Sequence, residues 1–429
     1  MKVAFYTLGC KVNQYETQII AQQFTENGFE LVDCADEADI YIVNSCTVTA
    51  TGDKKTRQIV HRFKKKNPNA AIALTGCFPQ AYPEDARAIQ EADVVTGTRD
   101  RNGLFSLIQQ FISDGSRIVN IAPHEKGEKF EKMCATGFSE RTRAFVKIQD
   151  GCDRYCSYCI IPTARGPIRS KALEDIKSEL SILAKEGYKE VVLVGINLSL
   201  YGKEFGLRLI DAIKAACSVD GIERVRLGSI EPELITDEDL KEMASLKEFC
   251  PQFHLSLQSG STDTLKRMNR HYTADEYAEL VQKIRNAFEN PAITTDIMVG
   301  FPGEDEREFK ESCDFVEAVK IAKCHVFAYS RRPNTRADRM PNQVTKAEKE
   351  ARSRRLITVC DKVREEVLKT QVGVECEVLF ETFDENLGYF GYSENYTPIY
   401  VKCNCNPRGE IKKVKIVASY ADFCVGELV

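Results

Sequence analysis

The sequence predicts an α/β protein of three domains. We expect a doubly wound parallel sheet domain over residues 1–135 and a partial (β/α)6 barrel over residues 138–368. A small antiparallel β-barrel is expected over residues 371–429. Three observations predict this class. Short runs rich in Val, Ile and aromatic residues alternate with amphipathic helical runs through the first two domains. The C-terminal residues instead alternate apolar and polar positions between turn signals. A chain of 429 residues with 43% hydrophobic content is long enough for two or three packed cores.

Three strand-like runs in the first domain each end on a cysteine. VAFYTLGC ends on Cys10, IYIVNSC on Cys46 and AIALTGC on Cys77. Helical runs such as YETQIIAQQFTENG and KKTRQIVHRFKKK separate them, which predicts parallel strands. Because the carboxyl ends of parallel strands share the edge at which ligands bind, we expect the three cysteines to lie together there. The alternative is three core cysteines that reach strand ends by chance.

Six strand-like runs in the central region predict an open parallel barrel: AFVKIQD, EVVLVG, RVRLGS, FHLSLQ, TTDIMVG and CHVFAYS. Ligands of such barrels lie at the carboxyl ends of the strands. The polar and glycine residues that follow the strands are therefore candidate ligand contacts, together with an arginine suited to a carboxylate: Gly195, Asn197, Ser229, Glu231, Gln258, Gly300 and Arg270. Ordinary turn chemistry remains the alternative for the glycines, and a solvated helix end for the arginine.

The C-terminal region begins after a long charged helix, KAEKEARSRRLITVCDKVREEVLK. The runs VGVECEVLFET, PIYVKCN and IKKVKIVASY then predict the strands of a small OB-like barrel. Such barrels commonly bind RNA, and four aromatic residues are candidates for stacking on bases: Phe390, Tyr392, Tyr396 and Tyr400. This region is acidic overall, which disfavours contact with the phosphates of RNA. A role for these four residues in the core of the barrel is therefore an equal alternative.

Composition excludes several classes of protein. No run approaches the roughly 20 apolar residues that cross a bilayer, and the N-terminus lacks the layout of a secretory signal, so we expect a cytoplasmic protein without a membrane segment. Seventeen cysteines then predict reduced thiols in metal or redox chemistry. With a net charge of -5, RNA binding requires a local basic face, and the candidates are residues 54–66 and 331–339.

The stretch GCDRYCSYC places Cys152, Cys156 and Cys159 in C-x3-C-x2-C spacing. A zinc site needs a second pair of Cys or His ligands, and a ferredoxin cluster needs a fourth thiolate. Neither follows in the sequence. The spacing therefore predicts a four-iron cluster held by three thiolates, with one iron left for a ligand that is not protein.

With an aromatic residue, Tyr158, before the last cysteine, this motif resembles that of the radical S-adenosylmethionine (SAM) superfamily. The resemblance implies that the open iron binds the amino and carboxylate groups of SAM, and that an electron from the cluster cleaves SAM to a 5′-deoxyadenosyl radical. It also implies that Gly195 and Asn197 lie at the methionine amino group of SAM and that Gly300 lies near its adenine.

Two three-cysteine sites on one chain resemble the methylthiotransferase family, and the resemblance covers the whole chain. It implies two [4Fe-4S] clusters, a C-terminal domain of the TRAM type that binds RNA, and replacement of a C–H bond by C–S–CH3. Three stretches are closest to the branch that modifies N6-threonylcarbamoyladenosine (t6A), next to the anticodon of tRNA, at C2 of the adenine: TLGCKVNQYET, VNSCTVTATGDKKTRQ and VKIQDGCDRYCSYCIIPTARG.

The resemblance also assigns roles to the two sites. The cluster on Cys152, Cys156 and Cys159 generates the radical, the cluster on Cys10, Cys46 and Cys77 supplies the sulfur, and a second SAM donates the methyl group. The expected partners are a tRNA that carries t6A and a reductant such as flavodoxin or ferredoxin. The alternatives are the same chemistry on isopentenyladenosine of tRNA or on a ribosomal protein aspartate, and a non-catalytic iron–sulfur or zinc protein that binds RNA.

Overall fold

The computed structural model describes residues 1–137 and 142–429, and its N-terminal part is the predicted parallel sheet. The strands are β1 Lys2–Thr7, β2 Glu30–Val32, β3 Ile40–Ser45, β4 Ala71–Gly76, β5 Val94–Thr96 and β6 Ile118–Asn120. The helices are α1 Lys11–Glu26, α2 Ala50–Lys66, α3 Cys77–Ala81, α4 Pro83–Arg87 and α5 Leu104–Asp114. The three predicted strands that end on cysteines are β1, β3 and β4, whereas the three-residue strands β2, β5 and β6 are too short to predict from a periodic pattern.

The N-terminal sheet has the order β2-β1-β3-β4-β5-β6, and all of its strand pairs are parallel. Along β3, Ile40 and Ile42 pack with residues of α1 and α5, while Tyr41 and Val43 pack with residues of α2 on the other face. Helices on both faces confirm the doubly wound prediction. The strand order reverses between β1 and β3, and the crevice at such a switch point is where ligands of these sheets bind.

The central region contains eight strands among the described residues: β7 Arg143–Asp150, β8 Arg169–Ser170, β9 Glu190–Gly195, β10 Arg224–Leu227, β11 Ser229–Ile230, β12 Gln252–Leu255, β13 Ala292–Val299 and β14 Lys323–Ala328. Its helices are α6 Ile161–Arg165, α7 Leu173–Lys185, α8 Leu209–Cys217, α9 Asp237–Ser245, α10 Thr262–Arg267, α11 Ala274–Ala287, α12 Glu306–Val319 and α13 Lys346–Lys369. The predicted start of this domain, residue 138, lies outside the described residues.

The central strands form two sheets, β10-β9-β7-β8 and β11-β12-β13-β14. Gly228 alone separates β10 from β11, so these two short strands continue one another and join the sheets into an open barrel of six parallel units. The hairpin strand β8 pairs antiparallel with the edge strand β7. The apolar faces of the strands and surrounding helices form the largest hydrophobic cluster of the protein. This arrangement confirms the predicted partial (β/α)6 barrel.

The C-terminal strands form a closed barrel in the order β15-β16-β17-β19-β18. Their bounds are β15 Glu375–Asp384, β16 Gly388–Ser393, β17 Pro398–Val401, β18 Ile411–Ser419 and β19 Cys424–Leu428. The sequence predicts an antiparallel barrel, and all pairs are antiparallel except β17 with β19, which are parallel. Closure leaves no free edge in this small sheet.

Two of the candidate base-stacking tyrosines lie between the C-terminal barrel and the central barrel. The rings of Tyr392 and Tyr396 stack with centroids 4.2 Å apart. The guanidinium of Arg143 lies 5.0 Å from the Tyr392 centroid, and that of Arg226 lies 5.0 Å from the Tyr396 centroid. These rings therefore hold the two barrels together by cation–π contacts.

Among the residues described, no helix combines the length and apolarity that a bilayer crossing requires.

Candidate functional site

The first cysteine site lies at the switch point of the N-terminal sheet. Cys10, Cys46 and Cys77 directly follow β1, β3 and β4, so they emerge on one edge as the sequence predicts. Burial, and to a smaller extent the neighbouring thiols Cys77 and Cys10, raise the pKa of Cys46 to about 12. The structure therefore brings the three thiols of the sulfur site together.

Glycines in front of two of these cysteines permit the close approach. Gly9 has a φ of +104°, and a Cβ atom there would lie 2.8 Å from Cβ of Cys46. Gly76 has a φ of +101°, and its Cβ would lie 2.6 Å from the carbonyl oxygen of Ser45. Any other residue would be strained by its backbone and would also push the loops apart. The Gly-Cys pairs in the sequence are thus part of the site.

The geometry of the loops around this site depends on one asparagine side chain. Asn13 Nδ2 donates hydrogen bonds to the carbonyl oxygens of Leu8 and Ser45, at 2.8 and 3.0 Å. Its backbone carbonyl accepts a bond from Asn44 Nδ2 at 3.0 Å. Asn13 is buried, so these bonds fix the ends of β1 and β3 relative to α1.

Sequence reasoning missed Arg165, a fully buried residue that reaches the sulfur site from the central barrel. Its Nε donates to Cys77 Sγ at 3.2 Å, its Nη1 to Glu16 Oε1 at 2.6 Å, and its Nη2 to Asn13 Oδ1 at 2.5 Å. Burial raises the pKa of Cys77, whereas the charge of Arg165 lowers it. The one signal in the sequence is a charged residue within the otherwise uncharged stretch IIPTARGPI.

The second cysteine site occupies the loop between β7 and α6. The backbone N–H of Cys152 donates to the carbonyl of Gly166 at 3.1 Å, and that of Cys159 to the carbonyl of Cys156 at 3.0 Å. Gly151 has a φ of +76°, and a Cβ there would lie 1.8 Å from the carbonyl oxygen of Pro167. Burial raises the pKa of Cys152 and Cys159, and the neighbouring thiols add to the shift. This loop can close only around glycine.

Two of the predicted contacts of this site reach its thiols, and a third pairs with one of them. Asn197 Nδ2 donates to Cys152 Sγ at 3.6 Å, and Arg270 Nη1 donates to Cys156 Sγ at 3.2 Å. Arg270 also forms an ion pair with Glu231. Asn197 Oδ1 is buried and has no hydrogen-bond partner among the residues that the structure describes.

The other predicted contacts are placed less directly. Gly195 and Ser229 line a cavity beside this site. Gln258 lies at a strand end with a φ of +68°, and its backbone pairs with β13 through Asp296 and Met298. Gly300 has a φ of +70° and lies against Lys349 of α13. Of Gln258 and Gly300, neither contacts a site cysteine within the described part of the chain, although Phe301 lies edge-on to Tyr158 with centroids 6.4 Å apart.

A cavity of about 420 Å³, which we call the lumen cavity, lies beside the sulfur site. Cys10 of that site contributes to its wall, as do Gly195 and Ser229 at strand ends of the central barrel, whereas the cysteines of the second site do not line it. The inner surface of the central barrel and the paired tyrosines of the C-terminal barrel complete the wall. A cavity of this size suits a small-molecule group, and it is shared by all three domains.

A buried ionic network joins the N-terminal domain to the central barrel. Glu16 of α1 lies 2.6 Å from Arg165, 2.7 Å from Lys147 and 3.1 Å from Arg101. Burial alone raises the pKa of Glu16, but these three cations outweigh burial and lower it to about 2. Lys147 also pairs with Asp150, two residues before Cys152, at 2.6 Å. The network thus links the backbones of both cysteine sites.

The basic stretch 331–339 also connects the two sites. Arg332 is buried and donates to Asp53 Oδ2 at 2.6 Å and to Thr47 Oγ1 at 2.8 Å, next to Cys46. The backbone N–H of Ala337 donates to the carbonyl of Ser157, between Cys156 and Cys159, at 2.7 Å. Arg332 is therefore structural. The exposed arginines of the stretch are Arg331, which pairs with Asp338 at 2.5 Å, Arg336 and Arg339.

The basic stretch 54–66 lies on the outer face of α2. Several of its cations are paired locally: Arg57 with Asp85 at 3.1 Å, and Lys64 with Asp93 at 3.1 Å. Lys54 and Lys65 are exposed and form no ion pair with the described residues. The positive charge that this stretch offers to a ligand is thus smaller than the sequence suggests.

Two family models match separate parts of the chain. The model of the Radical SAM superfamily matches residues 146–316, and that of Uncharacterized protein family UPF0004 matches residues 2–97. The threonylcarbamoyladenosine tRNA methylthiotransferase MtaB of Bacillus subtilis (strain 168) is 38% identical over all of this chain and 96% of its own length. The tRNA-2-methylthio-N(6)-dimethylallyladenosine synthase of Caldicellulosiruptor saccharolyticus is 32% identical over 99% of this chain and 91% of its own.

Among solved structures, the radical S-adenosylmethionine methyltransferase TsrM from Kitasatospora setae, with tryptophan and a SAM analogue bound, aligns with a TM-score of 0.58 at 14% identity. The alignment covers 90% of this chain and 80% of that one. At this identity the likeness concerns the fold alone, and it agrees with a parallel sheet domain followed by an open barrel.

Proposed function

The chain belongs to the methylthiotransferase family of radical SAM enzymes, and from this premise we propose that it converts t6A next to the anticodon of tRNA to its 2-methylthio derivative, replacing C2–H of the adenine by C2–S–CH3. Members of this family are transferases that use SAM and [4Fe-4S] clusters. The choice of t6A is supported by higher identity to the relative named for that nucleoside, 38% against 32% for the relative named for dimethylallyladenosine.

One observation carries this proposal: the wall of the lumen cavity contains Cys10 of one three-cysteine site and also Gly195, two residues before Asn197, whose side chain donates to Cys152 of the other site. We assign the radical-generating cluster to Cys152, Cys156 and Cys159, and the sulfur-supplying cluster to Cys10, Cys46 and Cys77. When bound, these clusters provide the electron that cleaves SAM and the sulfur that enters the product. We place the substrate base in the lumen cavity, beside Cys10 and Gly195.

The donor sets fit such clusters. Among the described residues each site offers three soft thiols, and burial disfavours the thiolate form until a cationic centre compensates it. The guanidinium of Arg165 donates to Cys77 and lowers the pKa of that thiol, and Arg270 donates to Cys156 Sγ.

The side chains near Cys152 fit the polar end of SAM. The unpaired Oδ1 of Asn197 is an acceptor for an amino group, and the Glu231–Arg270 pair presents one charge of each sign. We assign Asn197, Glu231 and Arg270 to SAM binding, with Gly195 and Ser229 beside them. Gln258 and Gly300 complete the assignment through the strand ends on which the adenine would rest.

The domain bounds 1–135, 138–368 and 371–429 are part of the proposal, with the C-terminal barrel as an RNA-binding TRAM domain. A reductant such as flavodoxin or ferredoxin supplies the electron, and the cytoplasm is the compartment in which tRNA is modified. The second candidate substrate is isopentenyladenosine, because the relative from Caldicellulosiruptor saccharolyticus spans the full chain at 32% identity.

The experiment that tests the function is mass spectrometry of tRNA nucleosides from cells that lack t6A methylthiolation, with and without expression of this chain. We expect the 2-methylthio form of t6A only when the chain is expressed. Methylthiolated isopentenyladenosine in place of it would contradict the substrate and keep the chemistry. No modified nucleoside from an iron-loaded protein would contradict the function.

Charge reversal should locate the tRNA-binding surface. We expect Arg336→Glu with Arg339→Glu to lower the affinity for tRNA and to reduce the salt slope of binding by about 2, because two phosphate contacts next to both cysteine sites are lost. The measurement is the dissociation constant at several salt concentrations.

Two matched double variants serve as comparisons for that test. Lys54→Glu with Lys65→Glu reverses the exposed charges of α2, and Lys413→Glu with Lys415→Glu reverses those of the C-terminal barrel. If either pair changes the slope more than the arginine pair does, the main phosphate contacts lie on that surface and the assignment to 331–339 is wrong.

A further inference from the structure

Three chemically active side chains inside the barrel belong to neither cysteine site. His254 lies on β12, Asp296 on β13 and His325 on β14, and one ligand-type atom of each lies within 4.8 Å of the others. His254 Nε2 is 3.4 Å from Asp296 Oδ2, and His254 Nδ1 is 3.0 Å from Thr294 Oγ1. All four of these side chains line the lumen cavity.

Four cations line the same cavity, and two of them lack an anionic partner among the described residues. Arg143 is held by Glu381 at 2.6 Å, and Arg226 by a carboxylate of β9 at 2.8 Å. The side chains of Lys11 and Lys323 form no hydrogen bond or ion pair with the residues that the structure describes, and both line the cavity. Lys11 Nζ lies over the ring of Phe145, 5.8 Å from its centroid, so neither lysine has an anionic partner among those residues.

Both lysines lie close enough to His325 to influence it. Burial lowers the pKa of His325, Asp296 opposes this, and the charges of His254, Lys323 and Lys11 lower it again. Histidine and aspartate side chains such as these three are common ligands of divalent metals. Two free ammonium groups beside them disfavour a bound cation, however, and favour an anion.

We propose that Lys11, Lys323 and His325 bind the carboxylate of the threonylcarbamoyl group, and that Asp296 accepts a hydrogen bond from its hydroxyl group. This inference rests on the proposed function, since it places the N6 substituent of the substrate adenosine in the lumen cavity. A carboxylate matches two ammonium groups, and an alcohol matches a carboxylate acceptor.

The same groups would reject the competing tRNA substrate. An isopentenyl group is a hydrocarbon, and in this cavity it would leave two lysines and an aspartate desolvated without partners. A site built for polar groups discriminates strongly against an analogue that lacks them. The lumen cavity is thus a specificity determinant between the two nucleosides.

The test uses Lys323→Gln, because Lys323 lies far along the chain from the site cysteines, whereas Lys11 adjoins Cys10. The full-length protein, loaded with iron and sulfide, is assayed on tRNA that carries t6A and on the same tRNA with the threonine carboxylate converted to a carboxamide. We expect Lys323→Gln to lower kcat/KM on the carboxylate substrate about 20-fold, mainly through KM, and to change the carboxamide substrate less than about twofold.

Two further variants control this test. Lys323→Arg keeps the charge and should restore most of the preference for the carboxylate, and Lys310→Gln, on the outer surface of α12, should change neither substrate. An equal loss on both substrates, or no loss on either, would overturn the inference. So would a divalent metal, beyond the cluster iron, that disappears in His254→Ala.

Failure of the inference is distinguishable from failure of the proposed function. If the unaltered protein forms no 2-methylthio-t6A, the function is wrong and the inference falls with it. If the unaltered protein forms that product while Lys323→Gln retains the full preference for the carboxylate, the function stands and only the carboxylate site is wrong.

Discussion

Replacing Cys156 with alanine is expected to abolish SAM cleavage, whereas replacing Cys77 with alanine is expected to leave SAM cleavage and stop thiolation. Each site offers three thiolates, so loss of one leaves its cluster with two protein ligands. We assign SAM binding to the site at which Asn197 donates to Cys152 and Arg270 to Cys156. SAM cleavage is measured as release of 5′-deoxyadenosine under reducing conditions, and thiolation as methylthiolated nucleoside in tRNA. We expect each activity to fall more than about 1,000-fold in the variant that abolishes it.

Iron content and two matched variants complete this experiment. Either site variant should fall from about eight to about four iron atoms per chain, because one of two four-iron clusters is lost. Cys34→Ala in the N-terminal domain and Cys217→Ala in the central barrel remove thiols that pack against hydrophobic clusters, and both should retain iron and activity. Thiolation by Cys77→Ala at the rate of the unaltered protein would show that the sulfur site is elsewhere.

The positions of the cysteines were predictable because the rule that places them is local. A cysteine at the end of a buried strand in a parallel sheet must emerge at the carboxyl edge, whichever strand it follows. Cys10, Cys46 and Cys77 satisfy this rule through β1, β3 and β4. The same rule brought Asn197 and Glu231 to the second site, since each follows a barrel strand.

The partners of those cysteines were not predictable because they are distant in the sequence. Arg165 reaches Cys77 across 88 positions, and Glu16 reaches Arg165 across 149. Arg332, which the sequence suggests as an RNA contact, pairs with Asp53 across 279 positions and is buried. A periodic pattern carries no information about which distant charges will meet, so only the folded structure separates a solvated arginine from a structural one.

The contacts of Tyr392 and Tyr396 in the C-terminal barrel were likewise not predictable from the sequence. Alternation along β16 predicts that Tyr392 lies on one face of its strand. It does not show whether that face is turned toward solvent or toward the neighbouring domain. In the structure, Tyr392 and Tyr396 stack on Arg143 and Arg226 at the interface. Base stacking by these two rings is thus restricted to a substrate that enters the lumen cavity.

Replacing Glu16 with alanine is expected to destabilise the protein by about 3–5 kcal/mol, the usual cost of removing one partner from a buried ion pair. Arg165, Lys147 and Arg101 would remain buried with less negative charge beside them. The pKa difference between about 2 in the folded protein and the ordinary 4.5 corresponds to about 3 kcal/mol, which agrees with this range. Equilibrium denaturation by urea measures the free energy of unfolding.

The pH dependence of that difference identifies its cause. Because folding lowers the pKa of Glu16, its contribution is complete above about pH 4.5 and is lost as the pH falls through about 2. The stabilities of the unaltered protein and of Glu16→Ala should therefore converge between pH 4.5 and pH 2. A difference that stays constant over this range would show that lost packing, and not the carboxylate charge, destabilises the variant.

Two comparisons separate the charge of Glu16 from its shape. Glu16→Gln keeps the volume and the hydrogen-bonding oxygen but removes the charge, so it should retain most of the destabilisation at neutral pH and little of it near pH 2. Glu26→Gln, at the exposed end of the same helix, should change stability by less than about 0.5 kcal/mol. Because Arg165 also donates to Cys77, Glu16→Gln should leave that arginine free to shift toward the sulfur site. The iron content of the Glu16→Gln protein then reports whether the network positions the cysteines or only holds the domains together.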